Sequence, residues 1–184
     1  MTGSSSPVPV RVRTAGAQDA TDLAELAAVT FPLACPPGST AADQRAFLAE
    51  HLSAERFLAY VADAERLVLV AEDPSGTLLG YTMLVGTAPT DPDVRDALSL
   101  FPAVELSKCY VHPEHHGSGV SSLLMAETLE AARDTGASGV WLGVNQLNGR
   151  AQSFYTRHGF AVVGTKHFVV GSRVEDDYVL ERPL

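Results

Sequence analysis

Apolar positions along the chain alternate between a spacing of two and a spacing of three to four, and the switches between them mark the elements. Residues 8–13 alternate and read as a first strand. Asp19 can cap a helix that runs to Thr30, with Leu23, Leu26, Ala27 and Thr30 at helical spacing. The stretch 31–38 is rich in proline, which lacks an amide donor, and it is expected to break that helix. Ser39 or Thr40 can then cap a second helix carrying Phe47, Leu48 and Leu52, and Ser53 opens a short third one.

Residues 66–72 and 77–86 flank Asp73-Pro74-Ser75-Gly76, a turn by composition, and predict a hairpin. The polar segment 87–102 is expected to be a loop over the site with some local helix. Its Asp91, Asp93 and Asp96 are candidates for steering a cationic substrate. A strand over 103–111 and a helix over 119–135 follow. The helix's buried stripe is Val120, Leu123, Leu124, Thr128 and Ala131, widened by Met125, Leu129 and Ala132. Gly136 can end it in a left-handed conformation. Residues 139–144 read as a buried strand, 148–158 as a helix, and 159–164, 166–170 and 177–181 as closing strands. The order predicts an α/β fold: a mixed sheet between helices.

The chain has 184 residues and suits one domain spanning 1–184, with 1–9 as a flexible tail. At 46% hydrophobic and 19% charged it is an ordinary globular composition. A formal net charge of −9 argues against a nucleic-acid surface. No apolar run reaches membrane-spanning length and the start lacks an apolar signal core, so a cytoplasmic protein is expected. Cys35 and Cys109 are far apart, no metal-ligand spacing occurs, and no metal is expected.

The candidate chemistry lies in the strand–glycine loop–helix that includes His116-Gly117-Ser118-Gly119-Val120-Ser121-Ser122. Such a loop gathers free backbone amides and the positive end of a helix dipole around one anion. Glycines at 117 and 119 let a backbone approach a ligand closely. No Gly-Lys-Ser/Thr follows, so this is not a Walker loop, and it is too short and too late for a dinucleotide fingerprint.

The loop resembles the acyl-CoA pyrophosphate loop of the GNAT acetyltransferase superfamily, with the pattern Q/R-x-x-G-x-G/A; His116 stands for Gln/Arg and Ser121 for Gly/Ala. Asn148-x-x-Ala151-x-x-Phe154-Tyr155-x-x-x-Gly159-Phe160 is similar to that family's next helix and strand start. The resemblance implies a mostly antiparallel mixed sheet with helices on both faces, and acetyl-CoA as cosubstrate. It places the pantetheine arm along Cys109, Tyr110 and Val111, and the pyrophosphate on the amides from Gly117 to Ser122. A backbone N–H would polarise the acetyl carbonyl while an amine attacks directly.

Within that chemistry Tyr155 is the candidate acid for the departing thiolate, against the alternative of an aromatic plug beside Phe154. Asn148 can bond the cofactor arm or cap its own helix. Glu105 is the candidate base, expected on the strand face of Ser107, Cys109 and Val111, against a plain solvated carboxylate. His112, His115 and His116 are weaker bases, Cys109 a packing residue and Trp141 a core residue. Phe47 to Phe57, Trp141-Leu142-Gly143-Val144 and Asp177-Tyr178-Val179-Leu180-Glu181 resemble the bacterial polyamine N-acetyltransferase branch. The acceptor implied is a small-molecule primary amine; a protein lysine or N-terminus, or a CoA-binding sensor without turnover, are the alternatives. A homodimer is compatible with this reading.

Overall fold

The computed structural model of the chain describes residues 9–184, apart from the side chains of Phe168 and Val170; Val8, expected in the first strand, lies outside them. The alternating segments become β1 (Arg11–Thr14), β2 (Arg66–Glu72), β3 (Leu78–Val85), β4 (Ala103–Val111), β5 (Gly139–Asn145), β6 (Ala161–Val170) and β7 (Arg173–Pro183). The helices are α1 (Ala20–Ala34), α2 (Ala41–His51), α3 (Ala54–Ala62), α4 (Pro92–Ala97), α5 (Val120–Asp134) and α6 (Gly149–Arg157). One sheet holds the strands in the order β1-β2-β3-β4-β5-β7-β6. All neighbours are antiparallel except β4 and β5. Helices α1–α3 bury Leu23, Phe57, Tyr81 and Met83 on one face. On the other, α5 and α6 cover Met125, Val140, Leu142 and Leu180.

Hydroxyl caps set the helix starts where the pattern places them: Thr40 accepts from the Asp43 N–H and Ser53 from the Arg56 N–H. The helix expected to stop at Thr30 instead runs through Pro32 to Ala34. Proline forfeits one hydrogen bond near the helix end, while Phe31 is buried and stacks on Phe47 of α2 at 4.5 Å. Packing wins, and the extra turn reaches toward the functional cleft. The segments 159–164 and 166–170 are one strand, β6, bulged between Val162 and Gly164. Leu123, expected in the buried stripe of α5, is 37% exposed; Leu124, Met125, Thr128 and Leu129 carry the stripe.

A charge cluster ties β1 to the start of α1. Arg13 donates to both oxygens of Asp19 at 2.8 and 2.9 Å and to Glu72 at 2.8 Å, and the Gly16 N–H also donates to Asp19. The Arg13 guanidinium holds the buried Asp19 carboxyl below its usual range, against the opposing effect of burial.

Candidate active site

The site begins where two strands part. Strands β4 and β5 pair in parallel only over Ala103–Gly139, Val104–Val140 and Glu105–Trp141. Past Glu105 the β5-side edge of β4 has no strand partner. The His112 N–H donates to Leu79 of β3, so strand alternation turns the N–H groups of Val111 and Cys109 away from β3, into the gap. Two connected clefts fill this opening.

The first cleft, of about 550 Å³, runs from the glycine loop to α6 and the last turn of α1. Gly117 and Gly119 adopt φ of +79° and +91°, and nothing lies within 4 Å of where either Cβ would sit. That is a cradle shaped for a ligand backbone, at the N-terminus of a fifteen-residue helix whose first-turn amides have no intrahelical acceptor. Gly117, Gly119, Ser121, Ser122 and His116 line it as expected, together with Cys109, Tyr110 and Val111 of β4.

One of the expected amide donors is committed elsewhere. Ser118 turns back into its loop, with its N–H and hydroxyl both donating to His115 O, and it does not line the cleft. The Val120 side chain is buried against Leu124 and Leu79, leaving only its backbone to the loop. The His116 ring contacts Val111 O through Nε2 at 2.8 Å, which puts the ring proton on that nitrogen. Arg150 and Arg157 of α6 place positive charge in this cleft. Loop amides, two arginines and an open β4 edge fit a pyrophosphate followed by an amide-bearing arm.

The second cleft, of about 260 Å³, opens on the α1–α2 side of β4, β5, β6 and β7. It contains Phe31 and Phe47, and four charged side chains: Glu105, Lys108, Lys166 and Asp177. The expected face of Glu105 is corrected here. A register shift between Met83 and Leu84 pairs Met83 with Lys108 and Leu84 with Leu106, leaving Ser107 as the extra residue on β4. The bulge reverses the alternation beyond it. Glu105 therefore shares a face with Lys108 and Tyr110, whereas Cys109 packs with Leu106 toward α5 and α6.

Burial raises the Glu105 carboxyl above its usual range, with Lys108, Lys166 and Arg66 opposing. The Lys108 ammonium lies over the Tyr60 ring at 5.6 Å and is pushed down to about 8 by burial. A base working near neutral pH needs a shift of this kind in its carboxyl. Lys108 and Lys166 were not candidates from the sequence, and Asp177 figured only within a motif, without a role in the site. The available signal was weak: Lys166 is the one Lys, Arg, Asp or Glu of β6, but Lys108 shares β4 with Glu105, and Asp177 sits among several charges on β7.

Six residues line both clefts: Ala34, Cys109, Tyr110, Asn148, Ala151 and Tyr155. Asn148 accepts from the Ala151 N–H at 3.1 Å, so it caps α6 while facing both spaces. The Tyr155 ring packs edge-on against Phe154 and Phe160. Burial raises the Tyr155 phenol well above its usual value, so it stays protonated. Burial also pushes the Cys109 thiol up to about 12, which leaves almost no thiolate at neutral pH.

Trp141 is buried beneath α4 with Val94 and Leu98, as expected. His112 accepts from the Glu114 N–H, and neither His112 nor His115 lines either cleft. Asp91 caps α4, and Asp91, Asp93 and Asp96 also lie outside both clefts. Among the described residues no group of three or more His, Cys, Asp or Glu could hold a metal, and no helix is long and apolar enough to cross a membrane.

The acetyltransferase (GNAT) family profile matches residues 23–160. An uncharacterised N-acetyltransferase of Mycobacterium tuberculosis is 45% identical over 166 residues, covering 90% of this chain and 98% of that protein. The PaiA N-acetyltransferase of Thermoplasma acidophilum, solved with coenzyme A, superposes with a TM-score of 0.76 at 21% identity, over 96% of this chain and 99% of that one. YncA from Salmonella typhimurium, solved with acetyl-CoA, gives 0.64 at 23% identity, over 96% and 94%. With a family profile matched over 23–160 and a relative matched along nearly its whole length, the chain belongs to the GNAT family and is an acetyl-CoA-dependent N-acetyltransferase.

Proposed function

We propose that the acceptor is a primary amine of a small molecule, bound in the second cleft and acetylated by direct attack. The observation that carries this reading is the junction: Cys109, Asn148 and Tyr155 belong to both clefts, so an acyl donor in one meets a nucleophile in the other. Acetyl-CoA supplies an activated acyl group and a thiolate leaving group. The loop from Gly117 to Ser122 holds the pyrophosphate through its backbone, leaving out the committed Ser118 N–H, and Arg150 and Arg157 add charge. Beside it, the β4 edge at Cys109 and Val111 holds the arm and offers an N–H to the acetyl oxygen. Glu105 takes one proton from the incoming ammonium, the freed amine attacks the acetyl carbon, and as the C–S bond breaks Tyr155 gives a proton to sulfur and regains one from the nitrogen.

Cleft size supports a compact acceptor: about 260 Å³ suits an alkylamine end better than a folded partner. The narrower form of the proposal is a polyamine, supported by the sequence resemblance and by two carboxylates, Glu105 and Asp177, in the cleft. The test is thiol release from acetyl-CoA across a panel holding spermidine, simple alkylamines, and peptides with a free lysine or N-terminus. Small amines should be turned over faster than the peptides. Faster release with peptides would assign a protein acceptor, and none with any small amine would overturn the small-molecule reading.

A further inference from the structure

The proposed reaction leaves Asp177 without a task. It lies on β7 between Asn145 of β5 and Lys166 of β6, is only 5% exposed, and lines the acceptor cleft. Its Oδ2 stands 4.0 Å from the Lys166 ammonium, while its Oδ1 is buried and accepts no hydrogen bond. Gly143, two residues before Asn145 on β5, makes room for the Lys166 side chain: a Cβ there would press on Lys166 and come within 3.3 Å of Oδ2. Burial pushes the Asp177 carboxyl up to about 6, still ionised at neutral pH. A buried carboxylate oxygen in that state calls for a donor.

Its distance from Glu105 sets what that donor can be. Glu105 pairs with Trp141, and Asp177 pairs with Asn145, four positions further along β5. At about 3.3 Å per residue and about 4.8 Å per strand, the two Cα atoms are roughly 16 Å apart. Even with both side chains reaching inward, one ammonium with hydrogen bonds of about 2.8 Å does not touch both carboxylates. An extended four-carbon chain, with nitrogens about 6 Å apart, has a group for each.

Resting on the amine reading above, we infer that Asp177 seats a second, non-reacting ammonium of a diamine-type acceptor. Lys166 orients the carboxylate through Oδ2 and leaves Oδ1 for the substrate. Asp177 is then the residue that determines specificity, and Glu105 the one that acts on the reacting nitrogen.

The experiment compares three acceptors of equal length at saturating acetyl-CoA: 1,4-diaminobutane, butylamine and 4-aminobutanoate. The wild-type enzyme should favour the diamine over butylamine about tenfold or more in kcat/KM, mainly through KM, with 4-aminobutanoate the poorest. Asp177→Asn should collapse the diamine-to-butylamine ratio toward one by raising KM for the diamine. An equal loss on all three, or a loss confined to kcat, would overturn the assignment, because a structural or proton-transfer role predicts those results. If Asp177→Asn does not fold, the wild-type ratio still decides, since no preference for the diamine overturns the inference. Wild-type enzyme that acetylates none of the three would instead overturn the small-amine reading on which it rests.

Discussion

Replacing Gly119 with alanine separates the ligand role of the loop from its conformational cost. Gly119 has φ of +91° and lines the donor cleft, and the space at its Cβ position is empty to 4 Å. A side chain in this left-handed region costs roughly 1–2 kcal/mol. For a chain of this size that lowers Tm by about 2–8 °C. Gly136, at the far end of α5, provides the control, because its φ is +77° and its Cβ position is equally open. It does not line the donor cleft. Gly136→Ala should therefore lose similar stability and bind acetyl-CoA as the wild type does. Gly119→Ala should in addition push the pyrophosphate off the loop. Losing one amide–phosphate hydrogen bond, at about 1.5–3 kcal/mol for a charged partner, raises Kd roughly 10- to 150-fold. Thermal melts alongside calorimetric titration with acetyl-CoA measure both quantities. Unchanged Kd in folded Gly119→Ala, or an equal loss in Gly136→Ala, would refute the reasoning.

Tyr155→Phe should cut kcat by about 10²-fold while acetyl-CoA affinity changes little, because only the proton donor goes and the ring packing with Phe154 and Phe160 stays; equal losses in affinity and turnover would assign a packing role. Glu105→Gln should cost about 10²-fold or more in kcat/KM at neutral pH. The deficit should shrink as pH rises toward the amine's own value near 10, where a free amine needs no base. In the wild type the acid limb should fall at a pH above the ordinary carboxylate range, as the raised Glu105 carboxyl gains its proton; a constant wild-type-to-variant ratio across pH would remove Glu105 from the mechanism. Asp19→Asn should lose about 2 kcal/mol by breaking charged hydrogen bonds to Arg13. Since folding lowers the Asp19 carboxyl, its contribution is complete above its unfolded value and fades as pH falls through the folded one. The wild-type and variant melting curves should therefore converge in acid, and a gap independent of pH would contradict this.

The strands, the caps at Thr40 and Ser53 and the glycine loop were legible in the sequence because each depends on neighbours a few positions away. What was misread depends on contacts across the chain. Pro32 ends a helix by local rule, yet the stack of Phe31 on Phe47 carries the helix past it. The face of Glu105 turns on a bulge opposite Met83 and Leu84, and simple alternation along β4 cannot register it. Asp177 and Lys166 meet beside the cleft only because β6 and β7 pair, a contact that neither residue's neighbours in sequence signal. Arg150 falls at an unspecified position between Asn148 and Ala151, and its place in the donor cleft emerges from how α6 docks against β4.

Direct transfer at the junction of the two clefts is the central claim, and two-substrate kinetics tests it most directly. Varying acetyl-CoA at several fixed concentrations of an active amine should give intersecting reciprocal plots, because both substrates must be bound together. Mass spectrometry of enzyme incubated with acetyl-CoA alone should find unmodified protein, as a Cys109 thiol held up to about 12 is a poor nucleophile. Parallel plots together with an acetyl group on Cys109 would contradict the account and replace direct attack with a covalent relay.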